Sequence, residues 1–201
     1  MPSALIEVPV EKAPTGPLRK RWTRAECASL EAAGLLAQQH LELVEGELID
    51  KMGKNRPHSI ALAEMHAWLL RIFGERFVHQ ENPIDVSPED NPTNEPEPDL
   101  IILNREYTNF RSVSPGPQDL LLVVEVADTT LYFDLTVKAA LYARAGIADY
   151  WVLDVNARRL IVHRQPQSGK YTSILIYNEH ETVAPLAAPH AMFKAADAFP
   201  K

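Results

Sequence analysis

Glu125 lies inside Leu-Leu-Leu-Val-Val-Glu-Val (120–126), the most apolar run of the chain. A buried, unpaired carboxylate costs several kcal/mol. Glu125 therefore either sits at a solvated strand end or is paired, protonated or bound to a cation. Asp99 opens a second apolar strand, Asp-Leu-Ile-Ile-Leu (99–103), directly after Glu-Pro-Glu-Pro. Read alone, it is a solvated strand-start residue. If the two strands are neighbours, both carboxylates fall at one end of a sheet. Two converging carboxylates repel, and a divalent cation relieves that repulsion. An oxygen-only donor set suits Mg²⁺ or Mn²⁺ better than zinc. Lys138 follows on the next helix, four residues before Tyr142. Positions i and i+4 share a helix face, so both can point over the end of the Glu125 strand. A lysine beside two carboxylates and a metal stabilises phosphate charge or orients a water. Otherwise it is an ordinary solvent-facing lysine.

The surrounding elements must place these residues. Thr23 with Glu26 three residues on forms a capping box, opening a helix that stops near Gly34. Two apolar runs flank Glu45-Gly46 in Leu41–Met52 and predict a β-hairpin. Pro57 starts a helix whose Ala61, Met65, Trp68, Leu69 and Ile72 follow helical spacing, with Gly74 as its stop. Short strands are expected over 76–86 and a loop over 87–98. The near-continuous apolar run of 119–128 marks a strand covered on both faces. A helix over 134–145 and strands over 149–154, 159–164 and 171–177 complete the pattern, with Pro166 and Ser168-Gly169 supplying the last turn. Asp134 is a weak candidate for an outer ligand and is read first as that helix's N-cap. Asp128 is either an outer ligand or a turn cap. The order strand, helix, strand over 119–154 implies a right-handed crossover and a parallel pair. Hairpins on either side imply antiparallel strands, so the expected architecture is α/β: a mixed central sheet flanked by helices. Strand order stays open. Residues 1–18, with Pro2, Pro9, Pro14 and Pro17, read as an extended arm, and 19–201 as a single domain.

These residues together resemble the PD-(D/E)xK nuclease superfamily, and within it the Uma-two family of restriction-type endonucleases. The resemblance covers about residues 40–165. It rests on Leu-Val-Glu-Gly-Glu-Leu-Ile-Asp-Lys-Met (43–52), His58, Glu-Pro-Asp-Leu-Ile-Ile-Leu (97–103), Leu-Leu-Val-Val-Glu-Val-Ala-Asp (121–128), and the run 134–154 with its Lys-x-x-x-Tyr and Tyr-Trp-Val-Leu-Asp. It implies a restriction-endonuclease-like fold in which Asp99 and Glu125 bind the metal that activates water for phosphodiester hydrolysis. The backbone carbonyl near Val126 is an expected extra ligand. The generic pattern has a lysine two residues past the glutamate, where this chain has Ala127. The resemblance places that role on Lys138, with Tyr142 beside it. Glu45 and His58 match further characteristic positions. Glu45 is a third carboxylate or a hairpin-turn residue, and His58 contacts phosphate or water or is a plain first-turn residue.

The chain has 201 residues, is 46% apolar and carries a net charge of −7. It is long enough to bury ~70% of its unfolded surface. The lone Cys27 excludes an internal disulfide framework and a Cys-based zinc site. No apolar stretch approaches a membrane span and no signal peptide is visible, so a cytoplasmic location is expected. The negative charge excludes a histone-like polyanion binder, but not a local basic face. Arg19, Lys20, Arg21 and Arg24 form one candidate cluster. Lys51, Lys54 and Arg56 form another, the weak candidates for contacting nucleic acid. Trp22, Trp68 and Trp151 read as packing residues. The expected partner is nucleic acid, DNA before RNA. Cutting both strands of a duplex calls for two sites and hence a homodimer. Two other classes stay open. One is an inactive nuclease-fold binding or interaction protein. The other is a hydrolase using Asp99 and Glu125 as an acid/base pair, in the manner of glycosidases.

Overall fold

The computed structural model describes residues 19–37, 39–51 and 55–199. The expected N-terminal arm, and Lys54 in the second basic cluster, lie outside the described residues.

Helix α1 (Arg24–Ala32) opens on the expected capping box: Thr23 accepts from the Glu26 N–H, and Glu26 accepts from the Thr23 N–H. Strands β1 (Leu41–Val44) and β2 (Glu47–Asp50) form the hairpin. Its turn residues Glu45 and Gly46 both have positive φ, +51° and +73°, the geometry of a tight hairpin turn. A Cβ at residue 46 would also meet the Arg21 Cβ at 2.9 Å. Helix α2 (Arg56–Phe73) starts from an Asn55 cap with Pro57 in its first turn and ends at Gly74.

The core is a six-stranded sheet in the order β3 (Val78–Gln80), β4 (Leu100–Leu103), β5 (Leu120–Ala127), β6 (Asp149–Asp154), β7 (Arg159–Gln167) and β8 (Lys170–Asn178). Only β5 and β6 run parallel, as the intervening helix requires; the other neighbours are antiparallel. The mixed α/β architecture read from the sequence is the one observed. Side chains alternate across this sheet. Leu122, Val124 and Val126 face α2, whereas Val123, Glu125 and Ala127 face the helix that follows β5.

Several elements differ from the sequence reading. The helix after β5 begins earlier, with α3 (Leu131–Phe133), continues through a π-helical turn (Asp134–Lys138), and ends as α4 (Ala139–Arg144). Asp134 is consequently not an N-cap. It lies inside the helical run, buried, and accepts from the Thr130 hydroxyl at 2.6 Å. The apolar segment around Ile84 and Val86 is buried without forming a strand, because its neighbours are the Glu95 and Pro115 loops. Pro166 lies within β7, next to the positive-φ Gln165, rather than in the turn. Beyond Val183, where the sequence pattern is silent, β9 (Thr182–Val183) pairs with β10 (Phe193–Lys194). Phe193, Ala195, Ala198 and Phe199 join the core cluster on the α2 face, with Phe193 4.8 Å from Trp68 ring to ring.

His163 on β7 is buried between Tyr150 and Tyr171, at ring distances of 5.2 and 5.5 Å. Burial pushes its pKa down to about 4. The unfolded chain takes up this proton near the ordinary histidine value of ~6.5. The resulting stability is therefore complete above that pH and is lost as pH falls towards 4, by about 3 kcal/mol in all. Urea unfolding at pH 7 and pH 4.5 checks this. The gap in stability between wild type and His163→Phe should shift against wild type at the lower pH. An unchanged gap would contradict the assignment.

Candidate active site

The antiparallel register of β4 and β5 sets Leu100 against Val124. The residue before one is thereby brought next to the residue after the other, so Asp99 adjoins Glu125. The Asp99 N–H donates to Glu125 Oε2 at 3.4 Å, and the Val126 N–H donates to Asp99 Oδ2 at 2.8 Å. Both carboxylates are buried. They line a cleft of about 320 Å³ with Glu42, Lys51, Asn55, His58, Asp128, Asp134 and Lys138 among its walls.

Lys138 and Tyr142 arrive from the helix over this strand end, one helical turn apart. The Lys138 ammonium donates to Glu125 Oε1 at 2.9 Å, and the Tyr142 hydroxyl donates to the same oxygen at 3.0 Å. The i, i+4 spacing thus brings both side chains to Glu125. The π-helical turn ends at Lys138. Such a turn adds one residue to a helix and rotates the residues beyond it about the helix axis. Here the turn carries Asp134 and Lys138 inward together.

Glu42 is the member that sequence reasoning missed. Its Oε1 lies 2.9 Å from the Lys138 ammonium, and its Oε2 accepts from the Glu97 N–H at 3.0 Å. No local signal marks it: Glu42, Leu43 and Val44 of β1 are all buried, so the strand shows no alternation. Glu45, the carboxylate named from the sequence, is elsewhere. It sits on the hairpin turn, pairs with Arg144 and does not line the cleft.

His58 lies on the first turn of α2, with Nε2 3.6 Å from Asp99 Oδ2. Its Nδ1 is buried with no hydrogen-bond partner among the described residues. Asp128 spans the mouth, accepting from the side-chain amides of Asn55 and Asn156. This clamps the loop after β5 to the start of α2. Of the basic residues, Lys51 lines the cleft but donates to the Glu97 carbonyl at 2.8 Å. Arg56 is exposed at the start of α2. Arg24 is engaged with Asp85 and the Asn94 carbonyl, whereas Arg19, Lys20 and Arg21 remain exposed.

This cluster is acid-rich for its depth. Burial pushes the Glu125 pKa up to about 8; Lys138 opposes that rise, while Asp134, Asp99 and Glu42 add to it. Asp134 is pushed up to about 6 by burial, against the pull of Lys138 and Thr130. Burial alone would lower the Lys138 pKa, but Glu125, Glu42 and Asp134 outweigh it and hold the ammonium charged. Burial and the neighbouring Glu125 keep the Tyr142 phenol protonated, so it acts as a donor. Carboxyl groups thus crowd one another in this cleft, and protonation relieves the crowding, as a bound cation would. Among the described residues, no three acidic, histidine or cysteine side chains stand together in metal-holding geometry. Lys138 occupies the position between Glu42 and Glu125.

The mixed sheet thus carries carboxylates at one strand end, with a lysine returned from the crossover helix. The sequence profile of the Uma2 family, described as "Putative restriction endonuclease", matches residues 28–195, and the chain belongs to that family. A crystal structure described as a putative nuclease belonging to DUF820, from Anabaena variabilis, is similar in fold, with a TM-score of 0.62 at 13% identity. The match covers 81% of this chain and 91% of that one. No curated protein matches the sequence. Among the described residues no helix is long and apolar enough to cross a membrane.

Proposed function

We propose that this protein is a divalent-metal-dependent endonuclease that hydrolyses phosphodiester bonds of nucleic acid, with DNA as the expected substrate. The observation that carries this reading is the meeting of Asp99, Glu125 and Lys138 in one cleft from three separate elements. Asp99 and Glu125 would hold Mg²⁺ or Mn²⁺, and Glu42 stands ready as a further carboxylate. Such a metal, when bound, supplies a water of lowered pKa and neutralises phosphate charge. Val126 fixes Asp99 through its N–H. Tyr142 orients Glu125, and Lys138 offers a permanent positive charge for the charge that develops on phosphate. His58 lines the cleft with Nε2 towards Asp99 and would contact a phosphate oxygen or water there.

A second reading has its own support. Lys138 is bonded to both Glu42 and Glu125, an arrangement that would equally stabilise a nuclease fold used only for binding. Incubation of supercoiled plasmid with Mg²⁺, with Mn²⁺ and with chelator separates the two. The endonuclease reading predicts nicking with metal, and none with chelator. Absence of cleavage together with retained DNA binding would favour the binding module.

A further inference from the structure

The far edge of the sheet is unlike its rest. Among the described residues no strand pairs with the outer side of β8. Edge strands of this length are usually protected by charge, proline or a bulge. Residues 171–177 of β8 carry neither charge nor proline. Instead Ile174, Leu175 and Ile176 stand in a row, each about half exposed (54%, 51% and 53%). Ile174 and Ile176 lie opposite His163 and Ile161, on the α4 face, and Leu175 lies opposite Val162, on the α2 face. Both faces of the edge are thus apolar at the same point.

We infer that β8 is a homodimer interface, on which a second copy of this chain adds its own β8 antiparallel to extend the sheet. The sequence of the edge selects that occupant. A two-fold axis normal to a sheet must pass through a residue that faces itself, because only then does each side chain keep its face. With Leu175 at the axis, Ile174 meets the partner's Ile176, and Leu175 meets the partner's Leu175. These are the like-with-like apolar pairs that stabilise antiparallel strands. Charge fits as well. Lys170 begins the strand, and Glu179 and Glu181 follow it. Antiparallel pairing brings each lysine towards the other copy's acidic end, where Glu179 pairs with Arg158 and Glu181 accepts from Asn178. Parallel pairing would set like charges together. This inference does not depend on the catalytic reading.

Sedimentation equilibrium and directed cross-linking test it. The wild type should sediment at twice the 22.5 kDa chain mass. Leu175→Lys, at an exposed position that leaves the fold intact, should sediment at the single-chain mass. In a Cys27→Ser background, Leu175→Cys should oxidise to a covalent dimer. Residues facing across antiparallel strands lie about 4.5–5.5 Å apart, within disulfide reach. Ser173→Cys should not, since its two copies would stand about 14 Å apart. A monomeric wild type at high micromolar concentration would overturn the inference. So would a dimer that survives Leu175→Lys, or cross-linking at 173 equal to that at 175.

Discussion

Lys138→Met is expected to cost about 3 kcal/mol of stability and to abolish cleavage. Its ammonium is buried between Glu42 and Glu125, 2.9 Å from each. Methionine keeps the stem and removes the charge, leaving two buried carboxylates face to face. Removing one partner of a buried ion pair typically costs about 3–5 kcal/mol. The carboxylates set the sign of the pH dependence. Without Lys138 the raised pKa of Glu125 rises further. A group whose folded pKa is raised gives stability that is present at low pH and lost as pH climbs through the folded value. The deficit of Lys138→Met should therefore be larger at pH 8.5 than at pH 5.5, measured by urea unfolding. Adding Glu125→Gln to Lys138→Met should recover most of the stability and none of the activity. A deficit that does not change with pH would mean that Lys138 matters only for packing.

The second large effect separates function from stability. Asp99→Asn and Glu125→Gln should each lower plasmid cleavage by about 10³-fold or more, equivalent to about 4 kcal/mol of transition-state stabilisation. Both substitutions keep shape and one oxygen acceptor, so the bonds from Val126 to Asp99 and from Tyr142 to Glu125 can persist. Each also removes negative charge from an acid-rich cluster. Unfolding free energy should accordingly stay within about 1 kcal/mol of wild type, against the larger losses usual when buried partners are removed. Cleavage rates and thermal unfolding, measured on the same preparations, check the pair. Activity within tenfold of wild type in either folded variant would contradict the roles given to these carboxylates.

The sequence exposed the part of this site that is written in local pattern. Glu125 is visible because it interrupts an apolar run, and Lys138 with Tyr142 because four residues make one helical turn. Asp99 is visible because it opens a strand after a proline-rich loop. Glu42 was hidden for a physical reason. Strand β1 has four residues, too few for alternation to mark one face, and the burial of Glu42 depends on the distant Glu97 N–H. Asp134 was misplaced because an acid near a helix start normally reads as a cap, and no pattern announces a π-helical turn. Glu45 fits the turn reading of its glycine neighbour, with Arg144, 99 residues away, as the partner no local pattern could name. The terminal segment failed for a similar reason. Its strands have two residues each and owe their place to Phe193 and Phe199 in the core.

Strand order was equally beyond local pattern, because it is fixed by which sheet edges the loops can reach. The observed order puts β4 and β6 on either side of β5. That position sets Asp99 beside Glu125 while the crossover helix delivers Lys138 from above. The chemistry proposed for this protein depends on that arrangement more than on any single residue.

Calorimetric titration of Mn²⁺ into wild type and Asp99→Asn, at pH 6 and pH 8, tests the metal centre most directly. Wild type should bind, and bind more tightly at pH 8. Glu125, with its pKa pushed up to about 8, must release its proton to admit the cation. The measured heat should then vary with the ionisation enthalpy of the buffer, and Asp99→Asn should show no binding. No binding to wild type at millimolar metal, or equal binding to both proteins, would contradict the account.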